Sequence, residues 1–506
     1  MGKYKKLLIP IIFGVFLVSG MIYKLFNHND HWKFSIPPVG TYSSCRAVEL
    51  NGDGVLDIVI GGGGLENETS EYGVIAINGK DGSLLWKVES RNQVVASAIF
   101  SDIDADGIDD IFIGGRSAQF WALNGKTGQI IWEYLPDYPS MDMENDSTLL
   151  SFFNPQWVPD QDADGLKDIL VAFGGFVKAP PEQTDRPVGS LMILSAGSGN
   201  PLANAMMPDK KETYSTPVVH DFDNNGDPTV IYGSGGETIN GGLYAVELSD
   251  LMKENLGNSK KLANGEGKGF MAPPVLVDIT EDKVLDIVIT SFNGTTMAFN
   301  GQDFELLWEH RPREKVETYT CAAPVDMNND GTLDFFATYG IGIWPNIEKS
   351  IQVVLDGKNG KELFLDDMGV LQYSSPVVFD FNADGHMDVM LSTNYIASLS
   401  GNPENIVTIE GQKRHFTENR VFDLANKTNY RFGKSERGKN LSSTPLLADL
   451  DGDGKLDVIV CRMSNSTDFF TEKGLIIERF EIDRSVKSIK WGSYMGPSHD
   501  GIYPVN

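Results

Sequence analysis

Only three cysteines occur in 506 residues, Cys45, Cys321 and Cys461. The number is odd, and no two are adjacent or set as C-x-x-C. Neither a disulfide framework nor a cysteine metal site is legible, and each thiol reads as a buried side chain beside a strand. Histidine is also scarce, and its seven copies form no H-E-x-x-H or H-x-x-x-H group that would hold zinc. No G-x-S-x-G elbow, Walker loop or G-x-G-x-x-G after a strand occurs, so the common hydrolase and nucleotide sites are missing. Positive charge is short as well: 42 Lys and Arg stand against 70 Asp and Glu, for a net charge of −28. Nucleic acid is thereby excluded as a partner, because it demands a basic surface.

What the chain does have is a repeated acidic loop. The stretch DIDADGIDDIFIGG (102–115) sets Asp102, Asp104 and Asp106 on alternate positions, then a glycine, then Asp110, then an apolar strand. Carboxylates spaced this way converge on a hard cation, most plausibly Ca²⁺. An EF-hand would need Glu at loop position twelve and flanking helices; position twelve is Ile113, and both flanks read as strand.

The same nine-residue frame recurs. Its good copies offer Glu49, Asn51, Asp53 and Asp57; then Asp160, Asp162, Asp164 and Asp168; then Asp326, Asn328, Asp330 and Asp334. Two more offer Asp380, Asn382, Asp384 and Asp388, and Asp449, Asp451, Asp453 and Asp457. With the opening loop these make about six Ca²⁺ sites. Degenerate copies start at Asp221 and Asp278, the latter with Lys283 in place of the glycine. The eight starts lie 48 to 69 residues apart, which demands a repeat architecture. Positions one, three, five and nine of the frames supply 26 of the acidic residues, so metal ligation rather than a cationic partner accounts for much of the charge.

A second motif keeps step: NGKDGSLLW (78–86), NGKTGQIIW (124–132), NGQDFELLW (300–308) and the variant DGKNGKELF (356–364). Each is a tight turn followed by a strand ending on a large aromatic. Every unit therefore reads strand, metal loop, strand, strand, turn, strand, which is the grammar of a propeller blade. The expected fold is all-β, an eight-bladed propeller of four-stranded antiparallel blades over 42–506. Trp32 or Trp491 lies on the strand that completes the ring.

The loops resemble the FG-GAP/VCBS repeats of integrin α-chain heads and bacterial surface proteins. The Trp-bearing turns look like those of quinoprotein-type propellers, as does the ending KWGSYMGPSHDGIYP. This resemblance implies calcium in the loops and a protein- or glycan-binding, scaffold or adhesion role. A quinone-dependent dehydrogenase would be expected to carry an adjacent cysteine pair, which this chain lacks. Some eight-bladed polysaccharide lyases carry such loops too, so a carbohydrate-active enzyme on acidic glycans is the alternative. No catalytic or organic-cofactor residue is assigned. The basic stretches GQKRHFTENR (411–420) and YRFGKSERGK (430–439) read as a solvated outer hairpin or an anionic-ligand surface. The segments 135–157, 175–189, 233–242 and 340–346 would build a loop surface around Trp157 and Trp344.

The N-terminus differs from the rest. Basic residues 1–6 precede the apolar run from Leu7 to Tyr23, which orients residues 7–26 as a signal anchor with the N-terminus cytoplasmic. A signal peptide cut after Val18-Ser19-Gly20 is the competing reading. Residues 27–41 would be a linker and possible closing strand. The propeller is expected on the extracytoplasmic side, periplasmic or at the cell surface, tethered to the membrane or secreted if cleaved.

Overall fold

The computed structural model describes residues 29–504 apart from 135–148, 177, 181, 345, 371–372, 398–413 and 468–470. The expected anchor lies outside the described residues, as do Lys413 and most of the segment 135–157. Among the described residues no helix is long and apolar enough to cross a membrane.

Eight antiparallel sheets form the propeller, six of four strands and two of five. Blade 1 comprises Arg46–Val48, Asp57–Gly61, Ser70–Ile77 and Leu84–Ser90, paired in that order. Position within the blade explains each strand's composition. The second strand of blade 1, DIVIG, is buried at every residue because neighbouring blades cover both its faces. The fourth strand, LLWKVES, alternates because it forms the outer edge. The core accordingly lies between blades. Ile58, Ile60, Ile75 and Ile77 pack on Ile459, Leu475 and Ile477 of blade 8, while Val59, Val74 and Trp86 pack on Ile111, Ile113 and Trp121 of blade 2.

The recurring Trp is an interblade dock. Trp86 ends its ring against Gly128 of the next blade's turn, and its Nε1–H donates to the Gly125 carbonyl at 2.8 Å. Trp132 does the same to Ala196, and Trp308 to Gly357. Both glycines of the N-G-x-x-G turn are required. A Cβ on Gly125 would lie 2.0 Å from the Asp109 carbonyl oxygen, and Gly128 has φ +70° with the Trp86 ring where a Cβ would be.

Trp32 settles the closure. The strand Asn29–Ile36 pairs with Leu475–Ser485 as the fourth strand of blade 8, and Trp32 docks on the Gly79 carbonyl of blade 1 at 2.7 Å. Residues 29–36 therefore form the closing strand of the ring. Trp491 instead leads a C-terminal tail across the axis. Its carbonyl accepts from Val378 N–H, that of Gly492 from Leu447 N–H and that of Gly501 from Leu276 N–H. The buried Arg46 Nη1 donates to the Tyr494 carbonyl at 2.7 Å.

A hoop of hydrogen bonds runs around the axis just before the first strands. Ser44 N–H donates to Ser97 Oγ, Ser97 N–H to Asn154 Oδ1, and Asn154 Nδ2 to Thr216 Oγ1. It resumes with Cys321 N–H to Ser375 Oγ, Ser375 N–H to Thr444 Oγ1 and Thr444 N–H to Ser44 Oγ. Blade 5 carries Pro273 at this place, which has no N–H to give.

Candidate functional site

In an antiparallel four-stranded blade, the loops after the first and third strands lie on one face of the ring. Those after the second and fourth lie on the other. The acidic loops and N-G turns therefore share one face, and the long connections share the opposite one.

On the loop face the frame folds around its own backbone. Asp102 accepts from the N–H groups of Asp106 and Gly107, while Asp104 accepts from Asp106 N–H. The ninth residue plays a different part from the others. Asp110 is fully buried. It accepts Ile103 N–H on one oxygen and Gly125 N–H on the other, so it pins the loop to the turn that receives Trp86. Asp57, Asp286 and Asp334 repeat the arrangement with Gly79, Gly301 and Gly357. Burial pushes Asp57, Asp168 and Asp334 up to about 6, against the pull of these N–H groups.

The candidate ligands do not all converge. Asp102, Asp104 and Asp110 bring an oxygen each within 4.8 Å of one another, as do Asp160, Asp162 and Asp168, and Asp449, Asp451 and Asp453. Three carboxylates so placed suit a hard divalent cation. In blade 1, Asn51 turns its amide onto Asp57, and Glu49 accepts from the Asn51, Gly52 and Gly54 N–H groups. In blade 6, Asp326 and Asn328 both accept from Asp330 N–H. In blade 7, Asp380 and Asn382 accept from Asp384 N–H, and Asn382 reaches Asp423. There Asp388 is buried with Oδ1 unpartnered, and burial followed by Asp423 pushes it up to about 8. A cation would satisfy that oxygen. In the degenerate loops Thr229 bonds Glu247 instead of a turn, and Lys283 takes φ +74° where the glycine stood.

Blade 8 holds a feature the sequence reading missed. Its fourth strand comes from the N-terminus, so no turn follows its third strand to donate an N–H to Asp457. Arg479 substitutes. Its Nε and Nη2 bond the two Asp457 oxygens at 2.8 and 2.9 Å, Nη2 also reaches Asp451, and Nη1 reaches the Gly79 carbonyl. A buried guanidinium thus supplies part of the positive charge that an ion would bring.

The opposite face gathers aromatic and charged side chains around the axis. Tyr319 stacks on Tyr373 with centroids 4.5 Å apart, flanked by Phe292 and Trp344. Glu317 accepts from Trp344 N–H and pairs with Lys268 at 3.0 Å, and Lys268 also meets the Glu237 carbonyl. Arg116 pairs with Glu66 at 2.7 Å and bonds Gln93, which in turn bonds Glu472. Glu472 also accepts from Tyr42 at 2.5 Å. Burial pushes Glu472 up to about 7. Glu237 is exposed and yet also raised, first by desolvation and next by Glu317, as befits a side chain lining a concave mouth. Trp344 stands in this mouth. Trp157 does not: it packs edge-on against Phe112, 5.2 Å away, in the core between blades 2 and 3. The basic stretch falls mostly on the outer hairpin Arg414–Asp423 and Thr428–Arg437, where Glu418 accepts from both Arg420 and Arg431. The expected loop surface contributes Glu237 and Trp344 to the mouth, whereas Tyr319, Tyr373, Glu317 and Glu472 carried no sequence signal, because they come from separate connections with no shared spacing.

No protein-family model matches the chain. Protein FAM234B of Gallus gallus is 24% identical over 399 residues, 70% of this chain, and the chain spans 58% of the length of that relative. Among solved structures, the quinohemoprotein alcohol dehydrogenase of Comamonas testosteroni superposes with a TM-score of 0.57 at 11% identity, covering 92% of this chain and 78% of that one. A europium-containing methanol dehydrogenase gives 0.54 at 12%, covering 90% and 94%. An exotype rhamnogalacturonan lyase gives 0.53 at 14%, covering 87% and 72%. At such identities the likeness shows the eight-bladed propeller alone.

Proposed function

We propose that this chain is an exported, membrane-tethered β-propeller, stabilised by calcium on one face, that binds a protein or glycan ligand in the mouth of the other. The observation that carries the binding reading is the convergence of Tyr319, Tyr373, Trp344, Glu317, Glu237 and Glu472 from connections of separate blades. Flat aromatic faces with carboxylates beside them suit sugar rings and polar peptide groups alike. The apolar run 7–23 behind a basic segment supports the tether, and the spacing of the loops supports their kinship with FG-GAP/VCBS repeats. Asp102, Asp104 and Asp110, then Asp160, Asp162 and Asp168, and Asp449, Asp451 and Asp453 would hold Ca²⁺. The bound ion would supply the positive charge that lets these carboxylates crowd together.

One observation favours a second reading, a lyase acting on acidic glycans. Glu472 is poised near neutrality, as a group that takes and returns a proton must be. The purified full chain, titrated with acidic polysaccharides and with solubilised envelope proteins, separates the two. Binding without absorbance from unsaturated products supports the binding module, and product formation abolished by Glu472→Gln supports the lyase. Trp344→Ala and Tyr373→Ala variants that keep every wild-type ligand at wild-type affinity would remove the mouth as the site.

A further inference from the structure

We infer that Cys45 and Cys461 form a disulfide that locks the ring across its closing seam. Their sulfurs lie 3.1 Å apart, although the residues are 416 positions apart in sequence. Cys45 enters the first strand of blade 1, and Cys461 lies on the second strand of blade 8, Lys455–Met463. Both are buried in the apolar cluster of Trp32, Ile36, Ile60 and Leu475, the one that joins the two ends of the chain. A disulfide brings its sulfurs to about 2.05 Å, so the pair needs a further approach of roughly 1 Å, within the reach of side-chain rotation. Cys321 has no such neighbour: its Sγ faces the Ala322 carbonyl at 3.8 Å. The odd cysteine count thus resolves into one pair and one lone thiol.

The pair adds a covalent bond to a closure otherwise held by hydrogen bonds and apolar packing. The strand Asn29–Ile36 seals blade 8 at its outer edge, and the Cys45–Cys461 bond seals it at depth. The oxidant is a small-molecule or protein disulfide. One cysteine thiolate attacks it, releasing one thiol and leaving a mixed disulfide; the second cysteine displaces the other thiol. Two S–H bonds break, one Sγ–Sγ bond forms, and two electrons and two protons leave on the released thiols. The bond to Cys461, with burial, holds the Cys45 thiol well above its ordinary range, so exchange proceeds while the seam is still open. Supply of the oxidant in the cell rests on the exported location proposed above, whereas the pairing does not.

The test is a thiol count on the full chain. Protein refolded with oxidised glutathione is unfolded in guanidinium, labelled with a maleimide and weighed. The expected result is one label, on Cys321, against three after reduction, with a proteolytic fragment joining the Cys45 and Cys461 peptides. Three labels, or glutathione left on either cysteine without the cross-link, would overturn the inference. The reduced chain should melt about 5 °C below the oxidised one, and Cys45→Ala/Cys461→Ala should melt like the reduced chain whatever the oxidant. A melting point indifferent to oxidation would also count against the lock. Because the count is made in vitro, a chain found in a reducing compartment would sink the export reading and leave this result standing.

Discussion

At the scale of single residues, the side chains that matter most join two blades at once. Trp86 fills the space between blades 1 and 2 and donates its indole N–H to the carbonyl of Gly125, the residue whose N–H holds Asp110. Trp86→Ala should cost about 3–5 kcal/mol, measured by guanidinium unfolding, with a wild-type value arguing that the dock is ornamental. Glu472 gives a pH signature. Its folded value, about 7, stands above the ordinary 4.5, so the folded ring binds its proton more tightly than the unfolded chain does. The stabilisation is complete below pH 4.5 and fades as pH rises through 7. Glu472→Gln, which stays neutral, should flatten that slope and melt above the wild type at pH 8, by about 3 kcal/mol in stability. Parallel curves for the two proteins would contradict the assignment.

At the scale of the element, the acidic loop and the N-G turn act as one unit. Chelation should lower the melting temperature of the ring, each site held at ten times its Kd contributing about 1.4 kcal/mol. Asp104→Ala should remove about one site's share. The blade 8 loop should behave differently. Arg479→Met removes the guanidinium from Asp451 and Asp457 and should cost about 3–5 kcal/mol without calcium. Calorimetry with and without Ca²⁺ should then show the variant gaining more from the ion than the wild type does.

The sequence declared the blades because D-x-D-x-D-G and N-G-x-x-G each need particular residues at fixed offsets, whatever surrounds them. It hid Arg479, the Cys45–Cys461 contact and all of the mouth beyond Trp344 and Glu237, since these depend on which distant strands become neighbours. It also hid the different duty of the ninth aspartate, whose carboxylate looks like a ligand in the one-letter code. In space Asp110 keeps an oxygen near Asp102 and Asp104 and also accepts two backbone N–H groups. Ser/Thr-Pro steps stand at 216–217, 375–376 and 444–445, but the hoop they help build exists only once the ring does.

At the scale of the whole molecule, the two ends of the chain do the closing. The C-terminal tail fastens to the first strands of blades 5, 7 and 8 and covers Arg46 of blade 1. Deleting 491–506 should expose that guanidinium and lower the melting temperature by more than Trp86→Ala does. A truncated chain melting with the wild type would demote the tail to decoration.

The placement of Asn29–Ile36 in blade 8 also sets a timetable. That segment leaves the ribosome about 450 residues before its partner Leu475–Ser485, roughly 20 to 90 s at ordinary synthesis rates. Throughout that wait a strand with an open edge is available to any other chain, so nascent copies are in danger of exchanging their first strands. Holding that edge until the partner strand arrives is a task for a chaperone rather than for the finished wheel.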